Sequence, residues 1–398
     1  MTIEASPDAD QPYAPHPELL VYPLALTEGA ARVLVAETAS ARPPLVLRDP
    51  RVSLAITLLP DQGTRAEITA RWAAEESLLP ITDALWSALS TEGVLVPADD
   101  VPAQAAAWRS FDWDEAYRYH SSTRDYPFLQ MDQEGAFAAD DARMEEYIGR
   151  SLPPALTLDL SATPAPAADV PDASAAPQGA FPQGVLPQGV LPQGTVPQGA
   201  VPLRKIAEGE SADALLAALT PEQRRGTEGL ALLLDVCFGE RTRRPFAVQG
   251  EFLRKAVPSG GARHPTEAFV ALFPGGPLEP GVYHYNVECH RLDLLRGGDH
   301  SAAFRAASFD LFDKYQEGPF GLIVFCSLVE RAMWRYRDAR SARAPFIDIG
   351  HALMAYRTVI QRLGVGGYTY QKFHDRQIAA LLGINVERLA PLFLGTLV

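Results

Sequence analysis

The residues best suited to chemistry lie in the second half of the chain. Arg241-Thr242-Arg243-Arg244-Pro245-Phe246 gathers three guanidinium groups near a turn. A guanidinium pairs bidentately with phosphate oxygens, so such a run could anchor a phosphate. Taken alone, a solvated basic turn is the simpler reading. The next segment shifts the balance. Pro258-Ser259-Gly260-Gly261-Ala262-Arg263-His264-Pro265-Thr266-Glu267 sets two adjacent glycines beside a hydroxyl and a cation, with Arg254 just upstream. Adjacent glycines let a ligand approach the backbone closely. A phosphate-bearing oxidoreductase cofactor would suit this loop. It is not Gly-x-Gly-x-x-Gly, so no Rossmann site is indicated.

These loops need elements to hold them. Helices are expected over 213–219 and 220–236, with Thr220 as cap and Pro221 in the first turn, and a strand over 268–273. The first half reads as a short strand at 45–47, a helix over 52–59, a helix over 65–72, a helix over 81–90 and a strand at 94–96. Thr64 and Glu67 have the spacing of a capping box. Helix, helix, helix, strand suggests a small winged-helix-like domain over 1–100. Its third helix holds Asp83 and no Arg or Lys. Phosphate contacts dominate nucleic-acid affinity, so docking of a peptide or partner is expected there, not DNA. An aromatic-rich segment at 101–160 includes Trp108, Phe111, Trp113, Tyr117, Tyr126, Phe128 and Tyr147. Core packing is its simplest reading, a lid or dimer arm the functional one.

Pro-Gln-Gly recurs every five residues from Pro177 to Pro197, after a stretch rich in Ala, Pro and Ser. Proline removes a donor and keeps its predecessor extended. A disordered linker over 161–202 is therefore expected, followed by a domain over 203–398.

The chain has 398 residues, 47% of them hydrophobic, and a net charge of −14. That charge disfavours non-specific binding to nucleic acid or anionic membranes. No apolar run is long enough for a membrane span, and the acidic, proline-rich start lacks the features of a signal peptide. Three widely spaced cysteines (Cys237, Cys289, Cys326) form neither a metal-ligand pattern nor a disulfide framework. Reduced thiols in a cytoplasmic protein fit best. Lysines are scarce: Lys205, Lys255, Lys314 and Lys372.

The segment Pro258 to Glu267 strongly resembles the flavin-contacting loop of the SagB-type peptide dehydrogenases, the azoline oxidases of the nitroreductase superfamily. Gly281-Val282-Tyr283-His284-Tyr285 is similar to that family's Gly-Leu-Tyr-His-Tyr strand. Asp348-Ile349-Gly350-His351, at the expected start of a helix, and Leu363-Gly364-Val365-Gly366-Gly367-Tyr368 continue the likeness in the family's order. It spans about 230–394.

The resemblance implies an α+β fold, a central antiparallel sheet flanked by helices, with FMN at a homodimer interface. By position, Arg241 with Arg243 or Arg244 would hold the phosphate. Pro258, Ser259, Gly260 and Gly261 would line the ribityl chain and ring, Gly366 and Gly367 would approach the isoalloxazine, and Lys372 would replace a conventional phosphate contact. The implied reaction oxidises thiazoline or oxazoline to the azole in a ribosomally made precursor peptide, with cyclodehydratase enzymes as partners. No metal is called for.

One departure matters. The family's Lys-Tyr pair, thought to supply the base, is here Arg335-Tyr336. Arginine stays protonated, so Tyr336 becomes the candidate base, with Arg335 lowering its pKa or orienting substrate. His264, His351 and His120 are the reserve bases. An NAD(P)H-dependent flavin reductase and a catalytically silent scaffold are the rival readings.

Overall fold

The computed structural model describes residues 11–25, 32–37, 45–124, 132–160, 199–246, 248, 250–314 and 318–398. The Pro-Gln-Gly repeat lies outside these residues up to 198, as do Tyr126 and Phe128. The backbone divides into two compact units, Met1–Phe128 and Leu129–Val398.

The first unit contains β1 (Pro12–Pro15), β2 (Leu20–Ala25), β3 (Arg32–Glu37), β4 (Leu45–Leu47), α1 (Pro50–Thr57), β5 (Gly63–Thr64), α2 (Arg65–Ala73), α3 (Thr82–Thr91), β6 (Leu95–Pro97), α4 (Ala103–Arg109) and α5 (Asp114–Thr123). The capping box forms: the Thr64 hydroxyl accepts from Glu67 N while the Glu67 carboxylate accepts from Thr64 N. Ile68 and Trp72 of α2 meet Leu85 and Leu89 of α3 in a buried core. The Trp72 indole donates to the Ala55 carbonyl at 2.9 Å, which satisfies its one polar atom. A small sheet of order β5-β1-β6 closes the helices, its middle strand coming from ahead of them in the chain. Of the aromatic segment, Tyr117 is buried, whereas Phe111 and Trp113 are exposed.

The second unit contains α6 (Ala136–Arg150), β7 (Val201–Pro202), α7 (Ala212–Ala218), α8 (Pro221–Arg225), α9 (Thr227–Phe238), β8 (Glu240–Phe246), β9 (Gly250–Lys255), β10 (Thr266–Leu272), β11 (Gly281–Asn286), β12 (Arg291–Gly297), α10 (Ser301–Ala307), β13 (Gly321–Leu328), α11 (Glu330–Arg335), α12 (Arg343–Leu363), β14 (Thr369–Tyr370), α13 (Asp375–Leu382) and β15 (Leu389–Leu397). Seven strands form one sheet of order β14-β15-β13-β10-β11-β12-β7, and every pairing is antiparallel. Its central strands are buried on both faces, so β10 reads as a continuous apolar run instead of an alternation. Side chains still alternate. Ala268, Val270 and Leu272 join a core with α9 and α12, while Phe269 and Ala271 join a second core with α10 and α13. This is the α+β architecture the sequence implied, a central antiparallel sheet flanked by helices.

Several local readings need correction. The helix expected over 220–236 is two helices, because the chain turns extended at Gly226. Asp348 does not start a helix; α12 begins five residues earlier at Arg343. Arg241–Phe246 is not a turn but the strand β8, paired with β9. Segment 132–160, together with β7, belongs to the second unit. Leu160 is buried in one of its cores, and β7 forms the sheet edge. No helix among the described residues is long and apolar enough to cross a membrane.

Candidate functional site

The loop from β9 to β10 is strained. Gly261, Ala262 and His264 have φ of 57°, 52° and 45°. Two non-glycine residues in the left-handed region cost of order 1–3 kcal/mol each, so something must hold them. Asp348, from the second turn of α12 and 4% exposed, is that anchor. Ser259 Oγ donates to Asp348 Oδ2 at 2.6 Å, and Gly260 N donates to Asp348 Oδ1 at 3.0 Å. His264 N in turn donates to Ser259 Oγ at 2.8 Å. The Ser259 hydroxyl is thus engaged inside the protein. Pro258, Gly260 and Gly261 stay exposed at the loop's crest.

Tyr336 comes to this crest from the chain after α11. A side chain built on Gly261 would overlap the Tyr336 hydroxyl, so the glycine makes room for the phenol. Gly260 is tight on its other side, where an added Cβ would lie 3.2 Å from Ala344 Cβ. Arg335 pairs with Asp140 of α6 at 2.7 and 2.9 Å, and its guanidinium sits 5.0 Å from the Tyr336 ring centroid. It faces the ring, and its charge is countered by Asp140. The segment 151–160 straps α11 further: Trp334 Nε1 donates to Ser151 O at 3.0 Å and Arg331 Nε to Ala155 O at 2.8 Å.

Beneath the loop lies a buried charge cluster. Arg331 Nη1 pairs with Glu267 Oε1 at 2.5 Å and donates to His264 O at 2.8 Å. Burial pushes the Glu267 carboxyl up, but Arg331, His284 and Lys255 outweigh it and hold it at about 2. Burial, with the Lys255 and Arg331 charges, drives His264 down to about 3. Burial likewise lowers the Lys255 ammonium to about 8. His264 therefore stays neutral near pH 7. His351 and His120 are both exposed, the first on α12 and the second stacked on Trp108 in the first unit.

The arginines of β8 separate by strand geometry. Arg241 turns inward, donating to the fully buried Asp235 carboxylate at 2.8 Å and to the Asp235 carbonyl at 2.9 Å. Arg243 pairs with Glu240 at 3.1 Å. Arg244 is exposed and makes no hydrogen bond or ion pair with the described residues. It stands opposite Phe252, and Arg254 stands opposite Thr242, so Arg244 and Arg254 share one face of the hairpin.

The second glycine turn lies elsewhere. Asp348 and Leu363 are 15 residues apart on α12, roughly 22 Å at the helical rise. Gly366 and Gly367 follow that far end and pack near the end of β15, where Gly366 O accepts from Val398 N at 3.1 Å. A Cβ at Gly367 would lie 2.7 Å from Ile360 Cγ2 and 2.9 Å from Tyr356 Oη. Protein fills the space this glycine leaves. Lys372 is exposed, its ammonium 5.1 Å from the Phe309 ring centroid. One copy of the chain does not bring Gly366, Gly367 and Lys372 to the Ser259 loop.

Sequence reasoning missed Asp348 as an anchor, Asp140 as the counter-charge and Arg331 as the loop's support. Asp348 stood in a recognised motif without a role. Asp140 and Arg331 carry no local signal, because their partners are 195 and 67 residues away.

No family profile matches the chain. The chain is 39% identical to the trifolitoxin-processing protein TfxB of Rhizobium leguminosarum bv. trifolii over 124 residues, 31% of this chain and 33% of that one. It is 24% identical to the microcin B17-processing protein McbC of Escherichia coli over 144 residues, 35% of this chain and 52% of that one. It is 28% identical over 131 residues to a protein of Methanocaldococcus jannaschii named as a nitroreductase, 33% of this chain and 65% of that one. The chain thus spans less than two thirds of each relative's length. Parts of the chain are thus similar to proteins named for trifolitoxin and microcin B17 processing and to one named as a nitroreductase.

Proposed function

We propose that the chain is an FMN-dependent dehydrogenase that oxidises thiazoline or oxazoline rings in a ribosomally made peptide. The observation that carries this reading is the Tyr336 hydroxyl, lodged against Gly261 at the exposed crest of a strained, anchored loop. The relatives named for processing of trifolitoxin and microcin B17 support a peptide substrate.

The residues fit a flavin in two respects. The crest at Pro258, Gly260 and Gly261 is solvent-exposed, with Tyr336 Oη against Gly261 and Ala344 beside Gly260, so a flat ring would approach it from the remaining solvent side. Arg244 and Arg254 offer two guanidiniums without ion pairs to the described residues on the adjoining hairpin, the second 5.4 Å from the Phe252 ring centroid. Arg254 is five residues from Ser259, at most about 17 Å of chain. Arg241 and Arg243 would serve the hairpin by pairing internally instead. FMN, when bound, supplies the hydride acceptor for the ring.

The chain's own part is to position the ring and move a proton. In its phenolate form Tyr336 Oη would take the proton from one ring carbon while the neighbouring carbon gives up a hydride, and the electron pair of the broken C–H bond would form the new double bond. Asp140 and Arg335 hold the tyrosine's approach. His264, whose imidazole burial lowers to about 3, would be a weak proton acceptor and would support the loop instead.

The chain would act as a homodimer. The exposed Ile347 and Met354 of α12, seven residues apart on one helix face, offer an apolar face for that contact. We read the first unit as a winged-helix-like domain that would dock the precursor peptide or a cyclodehydratase. Its α3 presents no Lys or Arg for DNA phosphates.

The test is incubation of the full chain and FMN with an azoline peptide, read by mass spectrometry. Loss of two hydrogens per ring is the expected result. Bleaching of bound FMN by NADPH with no mass change would favour a flavin reductase, and failure to bind FMN a scaffold.

A further inference from the structure

Beside the crest of the loop, the second unit holds a cleft of about 910 Å³. That is within the range of small-ligand and peptide side-chain sites. Its walls are the strap, α11, the start of α12 and β15, and Tyr336 lies on its edge. The cleft is therefore continuous with the phenol that meets Gly261. Leu152, Met333 and Phe346 present large apolar side chains to it, 80%, 61% and 64% exposed.

Three charged residues also line the cleft, and each is committed. Glu330 pairs with Arg388 at 2.9 Å. The Arg337 guanidinium stacks 3.8 Å from the Tyr147 ring centroid and donates to Trp334 O at 3.3 Å. Asp338 accepts from Ser341 N at 2.9 Å and from Ser341 Oγ at 2.7 Å. A charged side chain entering here would lose water and find no unengaged counter-charge. An apolar one would cover three exposed hydrophobic groups.

We propose that this cleft seats the peptide residues flanking the ring and selects those that are uncharged and apolar, with Met333 and Phe346 as its specificity-determining side chains. The inference rests on the reading that Tyr336 faces the reacting ring.

The experiment uses three azoline peptides that differ only in the residue beside the ring: Leu, Glu or Lys. Affinity for the full chain with FMN is measured by calorimetry, and kcat/KM by mass spectrometry. The Leu peptide should be preferred over both charged peptides by about tenfold or more in each measure. Phe346→Glu should lower the preference for Leu over Lys while the flavin spectrum and oligomeric state hold. Equal affinity for the three peptides overturns the proposal. So does a Phe346→Glu protein that loses its dimer but keeps its preference, which would make the surface a contact between copies. The two readings separate cleanly. Tighter binding of the Leu peptide without loss of hydrogens defeats the azoline reaction and keeps the cleft, whereas turnover indifferent to the flank does the reverse.

Discussion

Two glycine pairs look alike in the sequence and differ in the fold. Gly260-Gly261 lies exposed at the crest of a loop held by Asp348, and the Tyr336 phenol occupies the room Gly261 leaves. Gly366-Gly367 follows the far end of α12, and Tyr356 and Ile360 fill the room Gly367 leaves. The first pair opens backbone beside a titratable side chain; the second lets a helix end pack on the sheet. A glycine pair is thus a statement about close approach, and only the neighbour shows whether a ligand or the protein makes it.

The contrast can be broken most forcefully at Tyr336. Tyr336→Phe should slow single-turnover oxidation of an azoline peptide by about 10²–10⁴-fold, the usual worth of a general base. Folding and flavin binding should persist. An unchanged anaerobic rate would remove the phenol from the chemistry and leave Gly261 as a packing device.

Next come the glycines themselves. Gly261→Ala adds a methyl where the Tyr336 hydroxyl sits and where φ is 57°. Displacing a catalytic group by an ångström costs on the order of 10²-fold. Gly367→Ala should instead destabilise by about 1–3 kcal/mol through overpacking against Ile360 and Tyr356. The two variants should therefore separate: kinetics for the first, thermal midpoint for the second. Matching losses in both assays would erase the distinction drawn between the two ends of α12.

Ser259→Ala sharpens the picture of the first end. The hydroxyl donates to Asp348 and accepts from His264 N, so its removal leaves both short of a partner. A loss of about 1–3 kcal/mol is expected for such a buried orphan, measured by chemical denaturation. A stability equal to the parent's would mean that the loop is held without this bond.

pH acts on the same loop. His264 has a folded pKa of about 3 against an ordinary 6.5, so the unfolded chain takes up a proton first and stability falls as pH drops from 6.5 towards 3. Glu267, at about 2 against 4.5, adds a further loss between pH 4.5 and 2. Denaturation midpoints across pH 7.5 to 3.5 should decline, and hydrogen exchange should rise in the 259–264 loop before the 364–368 turn. A flat profile would show that the cluster under the loop does not contribute its charge to folding.

The sequence by itself determined a good deal. The apolar run at 268–273 became a central strand because a strand buried on both faces carries mostly apolar side chains. Thr64 with Glu67, and Thr220 with Gln223, became capping boxes because those contacts span only three residues. The Pro258–Glu267 run marked the loop, and Tyr336 was singled out by its place after Arg335. What only the tertiary structure decided is which groups are already committed. Strand pairing turned Arg241 inward to Asp235 and left Arg244 beside Arg254. α12 separated two glycine turns that a motif list sets side by side. Asp348, Asp140 and Arg331 acquired their roles from partners far along the chain, 89, 195 and 67 residues away. Local chemistry is written in neighbouring residues, but the engagement of a charge or hydroxyl depends on what the fold carries to it, and a contact across such separations leaves no period or spacing to read.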